Sequence, residues 1–160
     1  MENLKIESVY NSKIEMSLRI AKILIGFSPI GLSIEKIICI DFLVLNLNDY
    51  MPGLESLHPA VPRRDTQLAI TRKIFTDSLE LLKGCNIVNE KFTRDGILFM
   101  VTDKTFSFTN AVQNNYISRM EFNIRTIREE YGSFSDNELK RLVASKFGKL
   151  DMEVNNAPLL

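Results

Sequence analysis

The chain has 160 residues, 45% of them apolar and 25% charged, the composition of an ordinary soluble domain too short for two large ones. Lys plus Arg equals Asp plus Glu, so the formal charge is zero, which argues against a self-sufficient DNA binder held to phosphates by surplus positive charge. Two cysteines far apart and a single histidine form neither a disulfide framework nor a zinc spacing, so no metal and no cofactor is expected.

Residues 1–11 have weak periodicity and read as a lead-in. Ser12-Lys13-Ile14-Glu15 is a capping box, in which each side chain satisfies a free backbone N–H. The helix that follows runs to Phe27. It is apolar round most of its circumference, with Glu15, Arg19, Lys22 and Gly26 as its polar stripe, and so has to be surrounded. Ser28-Pro29-Ile30-Gly31 is a turn. Ser33 caps a second helix, Ile34 to Asn48, whose polar edge is Glu35, Cys39 and Asn46.

Asp41 lies off that edge, among Ile34, Ile37, Val44 and Leu45. An unpaired carboxylate there would cost several kcal/mol, so it needs a cation or an opening to water. Arg72 and Arg19 are the candidate partners in a structural ion pair. That reading outweighs an acid poised for catalysis, because no second catalytic group stands near Asp41 in the sequence.

Asp49 to Arg64 is a long connection stiffened by Pro52, Pro59 and Pro62. It holds His58, which as a catalytic base would need a nucleophile and an orienting partner that the sequence does not offer. Anchoring the loop or meeting a partner fits it better. Asp65 caps a third helix running to Lys83, with Leu68, Phe75, Leu79 and Leu82 as its core stripe. Gly84 stands where a left-handed cap ends a helix. The other faces mix Arg72 and Lys73 with Asp77 and Glu80, which weakens a DNA-reading role.

Ile87 to Thr93 and Ile97 to Thr102 are strands joined through Arg94-Asp95-Gly96. With Asp95-Gly96 as the central turn residues, Arg94 faces Ile97, Phe92 faces Phe99 and Glu90 faces Val101. Val88, Phe92, Phe99 and Val101 then point inward, and Leu98 and Met100 lie outside, where apolar residues invite a partner. A one-residue bulge would swap the faces.

Thr102 caps a short helix to Asn110 that turns Phe106 and Phe108 toward the core, and residues 111–115 make a kink or break. The next helix reaches Tyr131 with the stripe Tyr116, Met120, Ile124, Ile127 and Tyr131, and Gly132 ends it. Ser135-Asp136-Asn137-Glu138 is a second capping box. Its helix carries Leu139, Leu142, Val143 and Phe147, with Lys140, Arg141, Lys146 and Lys149 on a solvated face.

The expected fold class is mainly α with a small β-hairpin: a winged-helix core over residues 12–110, a C-terminal helical extension over 111–151 and a tail over 152–160. The chain contains no Gly-rich phosphate loop, no G-x-S-x-G and no H-E-x-x-H, so no enzyme is expected. No signal peptide and no bilayer-length apolar run is read from it, and a cytoplasmic protein follows.

Tyr10-Asn11-Ser12 with Glu15 and Arg19, then Asp41, Leu57-His58-Pro59, Pro62 and Arg72, followed by a wing leading into Thr102, make a recognisable set. Over residues 10–135 the chain resembles the middle component of bacterial ABC-three-component systems, the class that includes the accessory subunit of Lamassu-type antiviral defence. It departs at Ala69, where that family often carries an acid, and the closing helix and tail match nothing in it. The resemblance implies a non-enzymatic adaptor between an SMC/Rad50-like ATPase and an effector such as a nuclease, with DNA reached only through the complex and no membrane. Leu57, His58, Leu98 and Met100 are the residues assigned to the partner interface. Two other readings compete: a transcriptional regulator using the third helix on DNA, and an enzyme centred on Asp41 and His58.

Overall fold

A computed structural model gives the fold. It describes residues 12–58 and 64–146, except for the side chains of residues 64–71. The expectations for residues 1–11, Pro59, Pro62, the Leu68 side chain, Phe147, Lys149 and the tail lie outside the described residues. The elements are α1 (Lys13–Phe27), α2 (Ile34–Leu45), α3 (Leu47–Tyr50), α4 (Arg64–Gly84), β1 (Val88–Thr93), β2 (Gly96–Val101), α5 (Asp103–Asn110), α6 (Asn115–Tyr131) and α7 (Asp136–Ala144). The fold is mainly α with one small antiparallel hairpin.

Side-chain caps set the helix starts. The Ser12, Ser33 and Ser135 hydroxyls accept from the backbone N–H groups of Glu15, Lys36 and Glu138, and Thr102 and Ser135 complete reciprocal boxes. The second helix stops sooner than its apolar pattern suggests. Asn46 leaves helical geometry while its amide donates back to the Phe42 carbonyl, and α3 restarts behind it. Asp49 and Tyr50 therefore belong to a helical turn rather than to the loop. At the end of α4 the left-handed residue is Asn86 (φ 58°), not Gly84. Ile87 N–H reaches the Leu82 carbonyl and Asn86 N–H the Lys83 carbonyl, the paired bonds of a Schellman cap.

α1 lies at the centre, packed against α2, α4, α5, α6 and β2, while α2 also meets α6 and α7. The polar stripe of α1 turns inward: Arg19 and Lys22 are buried, whereas Ile14 is exposed. Apolar side chains from every helix except α5 join β1 and β2 in one buried core. On α5, Thr105 and Thr109 are the buried residues and Phe106 is exposed, contrary to its expected inward packing; Phe108 is partly buried against the core.

The hairpin register differs by two residues from the expected one. Thr93 pairs with Gly96, Phe92 with Ile97, Glu90 with Phe99 and Val88 with Val101. A turn centred on Asp95-Gly96 needs positive φ at both residues, and only Gly96 has it (129°). The turn centres on Arg94-Asp95 instead. A shift of two keeps every residue on its own face, so Val88 and Phe99 are inward as the alternation implies. Phe92 is carried past the core and is 75% exposed. Leu32, between α1 and α2, bridges to Phe99 on β2 through two backbone hydrogen bonds of 3.0 and 2.7 Å.

Candidate functional site

The buried charges converge beneath the loop that precedes α4. Glu15 and Arg19 stand one helical turn apart on α1 and so share a face. Arg19, fully buried, grips Asp41 of α2 with both sides of its fork: Nε donates to Oδ1 at 2.6 Å and Nη2 to Oδ2 at 3.1 Å. Its Nη1 donates to Glu15 Oε1 at 2.9 Å. Burial alone would lower the pKa of this guanidinium, but Asp41 first and Glu15 second outweigh burial and hold it above its ordinary value.

Glu15 Oε1 also accepts from the Tyr116 hydroxyl of α6 at 2.6 Å and lies 3.3 Å from His58 Nε2. The hydroxyl has one hydrogen, and Glu15 takes it. Tyr116 Oη can therefore only accept from His58 Nε2, 2.9 Å away, which places a hydrogen on that ring nitrogen. Burial, and then the bond to Glu15, raise the Tyr116 pKa, so the phenol stays a donor. The chain Asp41–Arg19–Glu15–Tyr116–His58 thus links α2, α1, α6 and the loop. Glu15 Oε2 is buried with no hydrogen-bond partner.

The loop is tied down at several further points. His58 N–H donates to the Leu45 carbonyl at 3.3 Å. The Asn123 amide of α6 donates to the carbonyls of Val44 and Glu55, both at 3.1 Å, and Arg119 ion-pairs with Glu55. The Asn48 amide holds the Leu54 carbonyl at 2.9 Å. Leu57 and His58 are both buried, so their side chains hold the loop from below.

Of the two candidate partners for Asp41, the structure brings in Arg19. Arg72 ion-pairs with Glu35 instead, which Lys140 also approaches at 3.5 Å, so that carboxylate joins α2, α4 and α7. Leu98 and Met100 share one face of the hairpin and are half-buried. A Cβ on Gly31 would stand 3.1 Å from Leu98 Cβ and from Met100 Cγ, so the bare glycine lets that turn lie against them. The opposite face presents the cross-strand pair Phe92 and Ile97, 75% and 40% exposed. Sequence reasoning missed two residues of the network. Tyr116 reads as the first residue of a core stripe, Asn123 carries no sequence reading, and nothing local marks either as reaching another element.

Among the described residues, no group of three or more His, Cys, Asp or Glu could hold a metal ion, and no helix is long and apolar enough to cross a membrane. Burial first, and Glu35 second, push the Cys39 thiol from its ordinary 9.0 up to about 12. Tyr50 is raised as well, chiefly by burial. Groups held protonated more tightly in the folded state lend stability that is complete below their unfolded pKa and is lost as pH rises above it. The urea midpoint should therefore hold steady up to about pH 9 and fall beyond it. A midpoint still rising at about pH 10 would contradict this assignment. In the native protein a thiol reagent should label exposed Cys85 and reach buried Cys39 only after unfolding.

Residues 9–153 match the model of a family described as MC2: ABC-three component (ABC-3C) system Middle Component 2. No curated protein matches the chain, and no solved structure does.

Proposed function

Because the chain belongs to the Middle Component 2 family of ABC-three-component systems, we propose that it is a non-catalytic adaptor of a bacterial antiviral or anti-plasmid defence complex of the Lamassu type. Membership makes it one component of a multi-subunit system with protein partners. In the proposed role it joins an SMC/Rad50-like ATPase to an effector such as a nuclease, in the cytoplasm, and meets DNA only through that complex.

The family match over residues 9–153 carries this reading. The internal geometry supports it. Both oxygens of Asp41 are held by Arg19, and His58 Nε2 is shared by Tyr116 and Glu15, so the side chains with catalytic potential are committed to holding helices together. The order α1, Leu32 bridge, α2, α4, hairpin supports a winged-helix core. Co-expression with an SMC/Rad50-like ATPase and an effector of the same system should give one complex containing all three. An isolated chain that binds duplex DNA tightly, with a steep loss on adding salt, would favour a transcriptional regulator instead.

The hairpin is the proposed partner surface, with Leu98 and Met100 half-buried on its outer face and Phe92 and Ile97 at the tip of the inward face, beyond the core. Phe92→Asp with Ile97→Asp should lower recovery of the complex by about tenfold or more, since exposed aromatic anchors carry much of an interface. The melting transition should barely move, because neither side chain is packed in the core. Leu98→Asp with Met100→Asp should weaken the complex too, with some loss of stability where Gly31 packs. Full recovery of the complex with both pairs replaced would remove the hairpin from the interface.

A further inference from the structure

A joining subunit needs a second surface, and the α1–α6 groove has the chemistry for one. Lys22 of α1 and Glu121, Arg125 and Arg128 of α6 line a cavity of about 310 Å³ over a floor that includes Gly26 and Ile124. The Lys22 ammonium is buried and bonds Glu121 at 2.6 Å. Arg128 Nη1 donates to the Gly26 carbonyl at 2.5 Å, and its guanidinium lies 5.9 Å from the Phe27 ring centre. Arg125, exposed between them, has no ion pair or hydrogen bond among the described residues. Three cations thus face one acid in a chain whose formal charge is zero.

We propose that this groove receives a carboxylate side chain from an acidic segment of another protein component of the same system, with Arg125 as the main contact and Arg128 as the second. The inference rests on the subunit reading above. A planar guanidinium with no internal partner is suited to grip a carboxylate through two parallel bonds. The apolar floor accepts the aliphatic part of the same side chain. A nucleic-acid backbone fits less well. It needs cations spaced along successive phosphates, whereas two of these three already hold the Glu121 carboxylate and the Gly26 carbonyl.

The test uses the full chain with Arg125→Glu and Arg125→Lys, titrated against each purified protein component of the system. Arg125→Glu should weaken binding to one component by about tenfold or more, the loss expected when one side of a paired charge at an interface is reversed. Arg125→Lys, which keeps the charge but not the fork, should fall between, and neither variant should shift the melting transition. Arg125→Glu binding every component as tightly as the unaltered chain would overturn the inference and leave the subunit reading standing. Loss confined to duplex DNA binding would likewise overturn it. An unaltered chain that binds no component would remove the subunit reading and this inference together.

Discussion

Replacing Arg19 with methionine is expected to cost about 3–5 kcal/mol of stability, because it leaves buried carboxylates without their cation. Domains of this size are stable by about 5–15 kcal/mol, so the variant should melt far earlier or fail to accumulate. Two acids are exposed to the loss. Asp41 loses both of its bonds from the fork, and Glu15 keeps only Tyr116 and the nearby His58. Removing Asp41 instead should be milder, because Arg19 retains Glu15 at 2.9 Å. Arg19→Met combined with Asp41→Leu should recover at least half of the loss, since a buried pair replaced on both sides by apolar residues is often neutral. Equilibrium urea melts of the three variants measure this order. Arg19→Met melting with the unaltered chain would mean that the network is not holding α1 to α2.

The second large effect is expected at Gly26. A Cβ there would stand 2.4 Å from Ile124 Cγ2, far inside contact distance. That methyl sits on the branched carbon of a side chain with little freedom, so the helices themselves must separate. Gly26→Ala should cost about 1–3 kcal/mol even though alanine suits a helix better than glycine. Gly26→Val should cost more. Gly26→Ala with Ile124→Ala should lose less than the two single changes added together, because removing Cγ2 frees the space. The separation would also pull Lys22 from Glu121 and Arg128 from the Gly26 carbonyl, and so open the groove. Thermal melts of the single and double variants decide the point, and strict additivity would mean that the two sites do not touch.

The elements could be read from local chemistry. Ser12, Ser33, Thr102 and Ser135 mark helix starts through bonds to residues two or three positions on, which the sequence displays directly. Asp41 is visible in the sequence as a carboxylate on the wrong side of its helix, with Arg19 and Arg72 as its candidate cations. Choosing between them needed the packing angle of α1 on α2, which no local pattern encodes. The same limit hid Tyr116 and Asn123, whose partners lie far away in the sequence. The hairpin register differs for a smaller reason: an Asp-Gly pair can sit at the centre of a turn or close one, and with positive φ at Gly96 alone the turn centres on Arg94-Asp95 and Gly96 closes it. Loop anchoring by His58 is one of the two roles its sequence context favours, but the residues that draw it and Leu57 inward lie outside the loop and carry no local mark.

The Leu32 bridge decides how the small sheet ends. It covers part of the outer side of β2, so among the described residues the long free rim is that of β1. A bare rim of backbone N–H and C=O groups is a template for a foreign strand, and proteins blunt it with charge and brevity. β1 is six residues long, carries an exposed Lys91, and has Glu90 fastened to Lys83 of α4 at 2.6 Å. The hairpin can therefore offer its aromatic tip to a visitor without inviting chains like itself to stack along its side.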